Sequence, residues 1–243
     1  MQALFERSLL VFDEQGIAQL QKSHVLVAGV GGVGGFVAEA LARAGIGKLT
    51  LIDHDVVSPS NLNRQIVALN STLGQPKVEV MAKRILDINP QCEVTLVKSF
   101  LKPEDMTSVL SSQFDAVVDA IDSLNCKVAL VATAYQQGLK VYSSMGAGRR
   151  IDPSQITITD ISKTHTCALA RNMRQRLKKQ GIKKGIPVIF SQELPMRPGP
   201  MESIEGARGR VVNGTASYMP GIYGLMLAGL VIKDIASTAQ QKT

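Results

Sequence analysis

The stretch His24-Val-Leu-Val-Ala-Gly29-Val-Gly31-Gly32-Val-Gly34-Gly-Phe36-Val-Ala-Glu-Ala-Leu-Ala-Arg-Ala44-Gly45 decides the fold. His24 to Ala28 is a short apolar run of the kind that forms a buried strand. Phe36 to Ala44 is rich in alanine and leucine and stops at a glycine, as a helix does. Between them, Gly29, Gly31, Gly32 and Gly34 let backbone amides and a helix N-terminus approach a phosphate closely. Working outward, Lys48 to Ile52 is the next strand and ends at Asp53, placed to accept hydrogen bonds from ribose hydroxyls. Taken alone, this order fits a nicotinamide-dependent oxidoreductase as well as any other nucleotide-binding protein.

The alternation continues. Pro76 precedes a helix over Lys77 to Ile88 that ends at Asn89-Pro90. Strands are predicted at Glu93 to Val97, Asp115 to Ile121 and Lys140 to Ser144, with a helix from Ser123 to Gln137. The expected fold class is α/β, a Rossmann-like doubly wound sheet, parallel in the N-terminal half with a mixed C-terminal extension. Within a single domain over 1–243, the nucleotide-binding part covers about 23–148 and the extension about 149–243. Beyond Arg149 the pattern loosens. Gln155 to Thr159 reads as a strand, Cys167 to Gln180 as a basic helix, and Pro195 to Arg210 as a long mobile loop. Tyr218 to Ile235 is an apolar helix, better suited to a packed core or a dimer contact than to a membrane span.

Composition narrows the classes. A chain of 243 residues, 45% hydrophobic, can bury a sizeable core. Met1 to Val11 contains Glu6 and Arg7 and no long apolar run, so it does not read as a secretory signal and the cytoplasm is the default location. Cys92, Cys126 and Cys167 are odd in number and widely spaced, which suits reduced thiols; without a Cys-x-x-Cys pair no zinc site is expected. A net charge of +7 and a pI near 9.4 favour polyanionic partners. His24, His54 and His165 are isolated and receive no role.

The segment after Asp53 changes the odds. Asp53-His-Asp55-Val-Val-Ser-Pro-Ser-Asn61-Leu-Asn63-Arg64-Gln65 supplies amides and a guanidinium suited to phosphate, and Lys77 opens the next helix. Asp122 is expected at the end of the fourth strand, where a lone carboxylate among cations reads as a magnesium ligand. This ordered set resembles the ubiquitin-activating enzymes and their ThiF- and MoeB-like bacterial relatives, which adenylate sulfur-carrier proteins. The resemblance spans roughly residues 7–144. It implies that ATP and Mg²⁺ are bound, with Asp53 on the ribose and Arg64, Gln65 and Lys77 on the triphosphate. It also implies that Asp122 holds the metal at the reacting phosphate, and that Arg7 of a partner subunit completes the site in a homodimer. Arg64, Lys77 and Asp122 are the catalytic candidates; Asp55 and Asn61 join the nucleotide-binding set, and both also suit turns.

Gly146-Ala-Gly148-Arg-Arg-Ile-Asp-Pro153 and Pro187-Val-Ile-Phe-Ser191-Gln-Glu193 resemble the tRNA threonylcarbamoyladenosine dehydratase branch of that family. Arg171, Arg174, Arg176, Lys178, Lys179, Lys183 and Lys184 can follow a phosphate backbone or form a solvated face. The branch implies adenylation of a threonyl carboxylate on tRNA followed by ring closure. Some branch members carry a cysteine near the last helix, linked to a sulfur-relay partner, but Asn213-Gly-Thr215-Ala-Ser217 has none; Cys167 is expected in an exposed segment, without a chemical role. The alternative is an adenylating enzyme for a ubiquitin-like carrier protein. Intact Arg64, Lys77 and Asp122 argue against a regulatory module without chemistry.

Overall fold

The computed structural model describes residues 3–110, 114–197, 199, 201–204, 207–211 and 213–237. Helix α1 (Glu6–Lys22) leads into β1 (His24–Ala28), followed by α2 (Gly34–Ala44), β2 (Lys48–Ile52), α3 (Lys77–Ile88) and β3 (Glu93–Val97). A short α4 (Met106–Val109) precedes β4 (Ala116–Asp119), α5 (Leu124–Gln136) and β5 (Val141–Ser144). The extension adds β6 (Ile156–Asp160), α6 (Ala168–Lys179), β7 (Pro187–Ser191), a hairpin of β8 (Met201–Ile204) and β9 (Ala207–Val211), and α7 (Met219–Ser237).

Seven strands form one sheet in the order β3-β2-β1-β4-β5-β7-β6. All neighbours are parallel except β6, which runs antiparallel on the edge of β7. Helices α1, α2, α3 and α7 cover one face, and α4, α5 and α6 the other. The expected sheet with a mixed extension is what forms, and its order reverses between β1 and β4, where open α/β sheets bind ligands.

Four expectations need correction. Pro195 to Arg210 is not an uninterrupted loop but contains the β8–β9 hairpin; its runs are polar and glycine-bearing, so backbone pairing forms strands that apolar patterning did not mark. Helix α2 starts at Gly34, two residues before Phe36, because the glycine loop feeds directly into its first turn through Gly35 N–H to Gly31 O, 3.0 Å. Strand β4 ends at Asp119, not Ile121, because the Asp119 carboxylate accepts from Ile121 N–H at 3.2 Å and turns the chain out of the sheet. Asp122 therefore lies in the following loop. Helix α1 carried no expected element, and it breaks at Asp13 (φ 56°), whose carboxylate accepts from Gly16 N–H at 2.8 Å.

Helix α7 is long and apolar enough to cross a membrane, yet Tyr223, Leu227, Ala228 and Val231 are fully buried against α2 and α1. Gly224 sets the helix approach, since a β-carbon there would lie 2.4 Å from Val33 O.

Across the sheet, Asp119 is fully buried and accepts from Lys127 Nζ at 2.6 Å and Ser143 Oγ at 2.5 Å. Burial pushes its carboxyl up, against the pull of the Lys127 ammonium and the Ser143 and Ile121 donors. This network ties β4, β5 and α5 together beneath the loop that carries Asp122.

Two predictions follow from the packing. Gly224→Val should cost about 2–3 kcal/mol by overpacking. Gly229→Ala, on the same helix with open space beside it, should be neutral or stabilising by up to about 1 kcal/mol; thermal denaturation of the pair checks this. Lys127→Met should cost about 3–5 kcal/mol in denaturant titrations at neutral pH, because Asp119 is left without its cation. That deficit should shrink toward acid. Folded Asp119 keeps its proton in a range where the unfolded chain has lost it, so the variant's stability falls as pH rises from the unfolded value. Lys127→Met combined with Asp119→Asn should recover most of the loss.

Candidate active site

Three loops meet at the carboxyl ends of β1, β2 and β4. Gly29 takes φ 88°, and a β-carbon on it would lie 2.7 Å from Ala120 O; one on Gly34 would lie 1.7 Å from Gly29 O. These two glycines are required by backbone contact. At Gly31 a β-carbon would meet only Gln65 Nε2, at 3.8 Å, so this part of the loop faces open space across from Gln65. Gly32 lies against Pro220 in the first turn of α7 and against Arg64.

Asp53 secures the loop from the neighbouring strand. Its Oδ2 accepts from Val30 N–H at 2.7 Å and its Oδ1 from Asp55 N–H at 2.9 Å. Each oxygen retains a further lone pair for a hydroxyl donor. Asp55 in turn pairs with Lys77 Nζ at 2.7 Å. Lys77 is only 4% exposed, an ammonium held at the site by a half-exposed carboxylate.

Asn61 is buried and shapes the turn that presents its neighbours. Its Oδ1 accepts from Ser58 N–H at 3.1 Å, and its carbonyl accepts from Arg64 N–H at 3.1 Å and Gln65 N–H at 3.0 Å. Arg64 Nη1 donates to Ser60 O and Asn63 Oδ1, both at 2.8 Å. Gln65 is buried, and its Oε1 lacks a hydrogen-bond partner among the described residues. Asn63 Nδ2 reaches Thr215 O at 3.1 Å, which fastens this turn to the segment entering α7.

Asp122 is exposed on a loop that packs through Ala120 against Gly29 and Gly34. An exposed carboxylate on a loop packed against the glycine turn is a donor that suits Mg²⁺, because this ion takes few protein oxygens and shares phosphate oxygens. Arg7, by contrast, is not brought to these loops within the chain. It is exposed on α1 two residues from Phe5, whose ring packs on Gly45 at the opposite, amino-terminal edge of the sheet. Leu10 and Val11 beside it are 82% and 75% exposed.

A second floor lies at the ends of β5 and β7, where sequence reading placed motifs but no contacts. Glu193 accepts from Ile151 N–H at 3.0 Å and Asp152 N–H at 2.9 Å, joining the two motif halves. Arg150 is 4% exposed, and its Nη1 donates to Gly146 O at 2.7 Å and Gly148 O at 3.1 Å, bracing the loop after β5. Arg149 holds φ 61°, a strained setting for a residue with a side chain, and is anchored to Gly214 O and to both backbone groups of Met196. Arg150 and Lys127 were missed as site-bracing residues because only packing buries them; the one available signal was Arg150's place inside the Gly146 to Pro153 motif. Cys167 is buried at 4% exposure with Sγ against Gly146, not in an exposed segment, because the chain folds it under the first turn of α6. Burial pushes the Cys92 thiol up to about 11, so it stays protonated at neutral pH.

A Bacillus subtilis (strain 168) tRNA threonylcarbamoyladenosine dehydratase is 40% identical over 245 residues, covering 98% of this chain and 96% of the relative. The crystal structure of E. coli tRNA N6-threonylcarbamoyladenosine dehydratase, TcdA, in complex with ATP aligns with a TM-score of 0.89 at 36% identity, covering 98% of this chain and 96% of that one. The AMP complex of the same E. coli protein aligns with a TM-score of 0.86, also at 36% identity, over 96% and 94% of the two chains. The ThiF family model matches residues 5–243, so this chain belongs to the ThiF family.

Proposed function

We propose that this protein is an ATP-dependent dehydratase that adenylates the threonyl carboxylate of threonylcarbamoyladenosine in tRNA and promotes its cyclisation. One observation carries the reading: the glycine loop, the Asn61 to Gln65 turn and the Asp122 loop converge at the β1–β4 switch point of a chain that aligns end to end with dehydratases. The same alignment favours this reading over a carrier-protein adenylating enzyme.

The nucleotide lies with its phosphates over Gly31 and Gly32 and its ribose hydroxyls toward Asp53. Arg64 and Gln65 bind the phosphates from across the loop. Lys77 exchanges Asp55 for a phosphate, which leaves the half-exposed Asp55 carboxylate to water. Asn61 acts by holding the turn. Asp122 would hold Mg²⁺, which would neutralise charge on the phosphates. The partner's copy of the Arg7 region reaches the site in a homodimer, with the exposed Leu10 and Val11 supplying apolar contact.

A threonyl carboxylate oxygen attacks the α-phosphorus, forming an O–P bond as the bond to pyrophosphate breaks. The neighbouring carbamoyl group then attacks the activated acyl carbon, expelling AMP and closing a ring with net loss of water. The side chains supply alignment and charge neutralisation, and no protein nucleophile is needed. A tRNA substrate fits a cytoplasmic location.

Incubation of the full chain with ATP, Mg²⁺ and modified tRNA should lower the nucleoside mass by that of one water. An unchanged nucleoside with folded, ATP-binding protein would overturn the assignment. Arg64→Ala and Asp122→Ala should each reduce AMP formation by at least about 100-fold, in line with loss of groups that stabilise transition-state charge, while circular dichroism stays native. Wild-type turnover in either variant would remove that residue from the site.

A further inference from the structure

The seven cations between residues 171 and 184 divide into distinct sets. Arg174 turns inward and donates to Thr164 Oγ1, so it braces α6. Arg176, Lys178 and Lys179 are exposed and, with Leu124, Asn172 and Gln175, line a groove of about 640 Å³ between the start of α5 and α6. A second hollow of about 380 Å³ continues past Arg176 and Lys179 toward Pro103. Among the described residues no carboxylate lines either one; the remaining polar linings are side-chain amides. The groove opens at Leu124, two residues beyond Asp122, and Arg176 donates to Asn125 Oδ1 in the first turn of α5.

We propose that this α5–α6 groove is the docking track for the phosphate backbone of the RNA substrate, leading the modified nucleoside to the Asp122 loop; the proposal rests on the reading of tRNA as substrate. Arginine offers a planar fork and lysine a point charge to phosphate oxygens, and neutralising phosphates releases their counterions. The amides of Asn172 and Gln175 can donate to phosphate or accept from ribose hydroxyls. Clustered cations without a carboxylate repel one another until a polyanion fills the groove. The concave, amide-lined form fits a strand better than a flat anionic bilayer. Exposed Lys183 and Lys184 extend the positive field beyond the end of α6.

The test compares the full chain with Arg176→Ala/Lys178→Ala/Lys179→Ala and with Lys22→Ala/Lys83→Ala/Lys233→Ala, which removes the same charge from helices on the opposite sheet face. Filter binding to the modified tRNA and to its unmodified transcript is measured across a salt series, beside ATP affinity by calorimetry. The groove variant should bind both RNAs at least about tenfold more weakly, and its slope of log affinity against log salt should flatten by about 2, near 0.7–0.9 per phosphate lost. Its ATP affinity and the RNA binding of the opposite-face variant should stay at wild-type values. Unchanged RNA affinity and slope in the groove variant, or equal losses in both variants, would overturn the proposal. Dehydration by the wild type with normal RNA binding by the groove variant rejects the groove alone. Groove-dependent RNA binding without dehydration rejects the reaction and leaves the groove standing.

Discussion

At the β1–β4 switch point, two turns of the chain approach to a distance that admits no side chain. A β-carbon on Gly34 would sit 1.7 Å from Gly29 O, and one on Gly29 would sit 2.7 Å from Ala120 O. The glycine loop and the Ala120 to Ser123 loop therefore behave as one piece, and the surrounding structure braces that piece. Asp53 holds it from β2, the Asp119, Lys127 and Ser143 network holds it from below, and the first turn of α7 closes over Gly32. The open side of this piece lies at Gly31, where a β-carbon would meet only Gln65 Nε2.

The two buried lysines near this junction differ in what their partners allow. Lys77 pairs with Asp55, whose side chain is 50% exposed, whereas Lys127 pairs with Asp119, whose side chain has no exposure. Asp55 can give up its cation to a phosphate and fall back on water. Asp119 has no water to fall back on, so separating it from Lys127 would strand a charge in the interior. The first pair is fit for exchange and the second for permanence. The exposed cations of α6 form a third class, with no carboxylate among the described residues that line their groove.

The parallel half of the sheet was legible because strands buried on both faces are short apolar runs and their helices end at glycine or before proline, as at Gly45 and Asn89-Pro90. The candidate site was legible as an ordered set of residue types. What stayed hidden has a common cause: it depends on contacts between distant segments. The β8–β9 strands are short and carry few large apolar residues, α1 is interrupted at Asp13, and Lys127 looks like any helix lysine until α5 places it under β4.

The sequence by itself determined that a tight glycine turn joins β1 to the start of α2, because at Gly29 and Gly34 the backbone leaves no room for a β-carbon. It also supplied the arginine, lysine and acids that distinguish phosphate chemistry from redox chemistry. Only the tertiary structure decided which groups are engaged and which are open: Asp53 on Val30, Lys77 on Asp55, Arg174 turned inward while Arg176 faces a groove. Residue type fixes what a side chain can bond, but burial and the arrival of a partner from elsewhere in the chain fix which bond it makes.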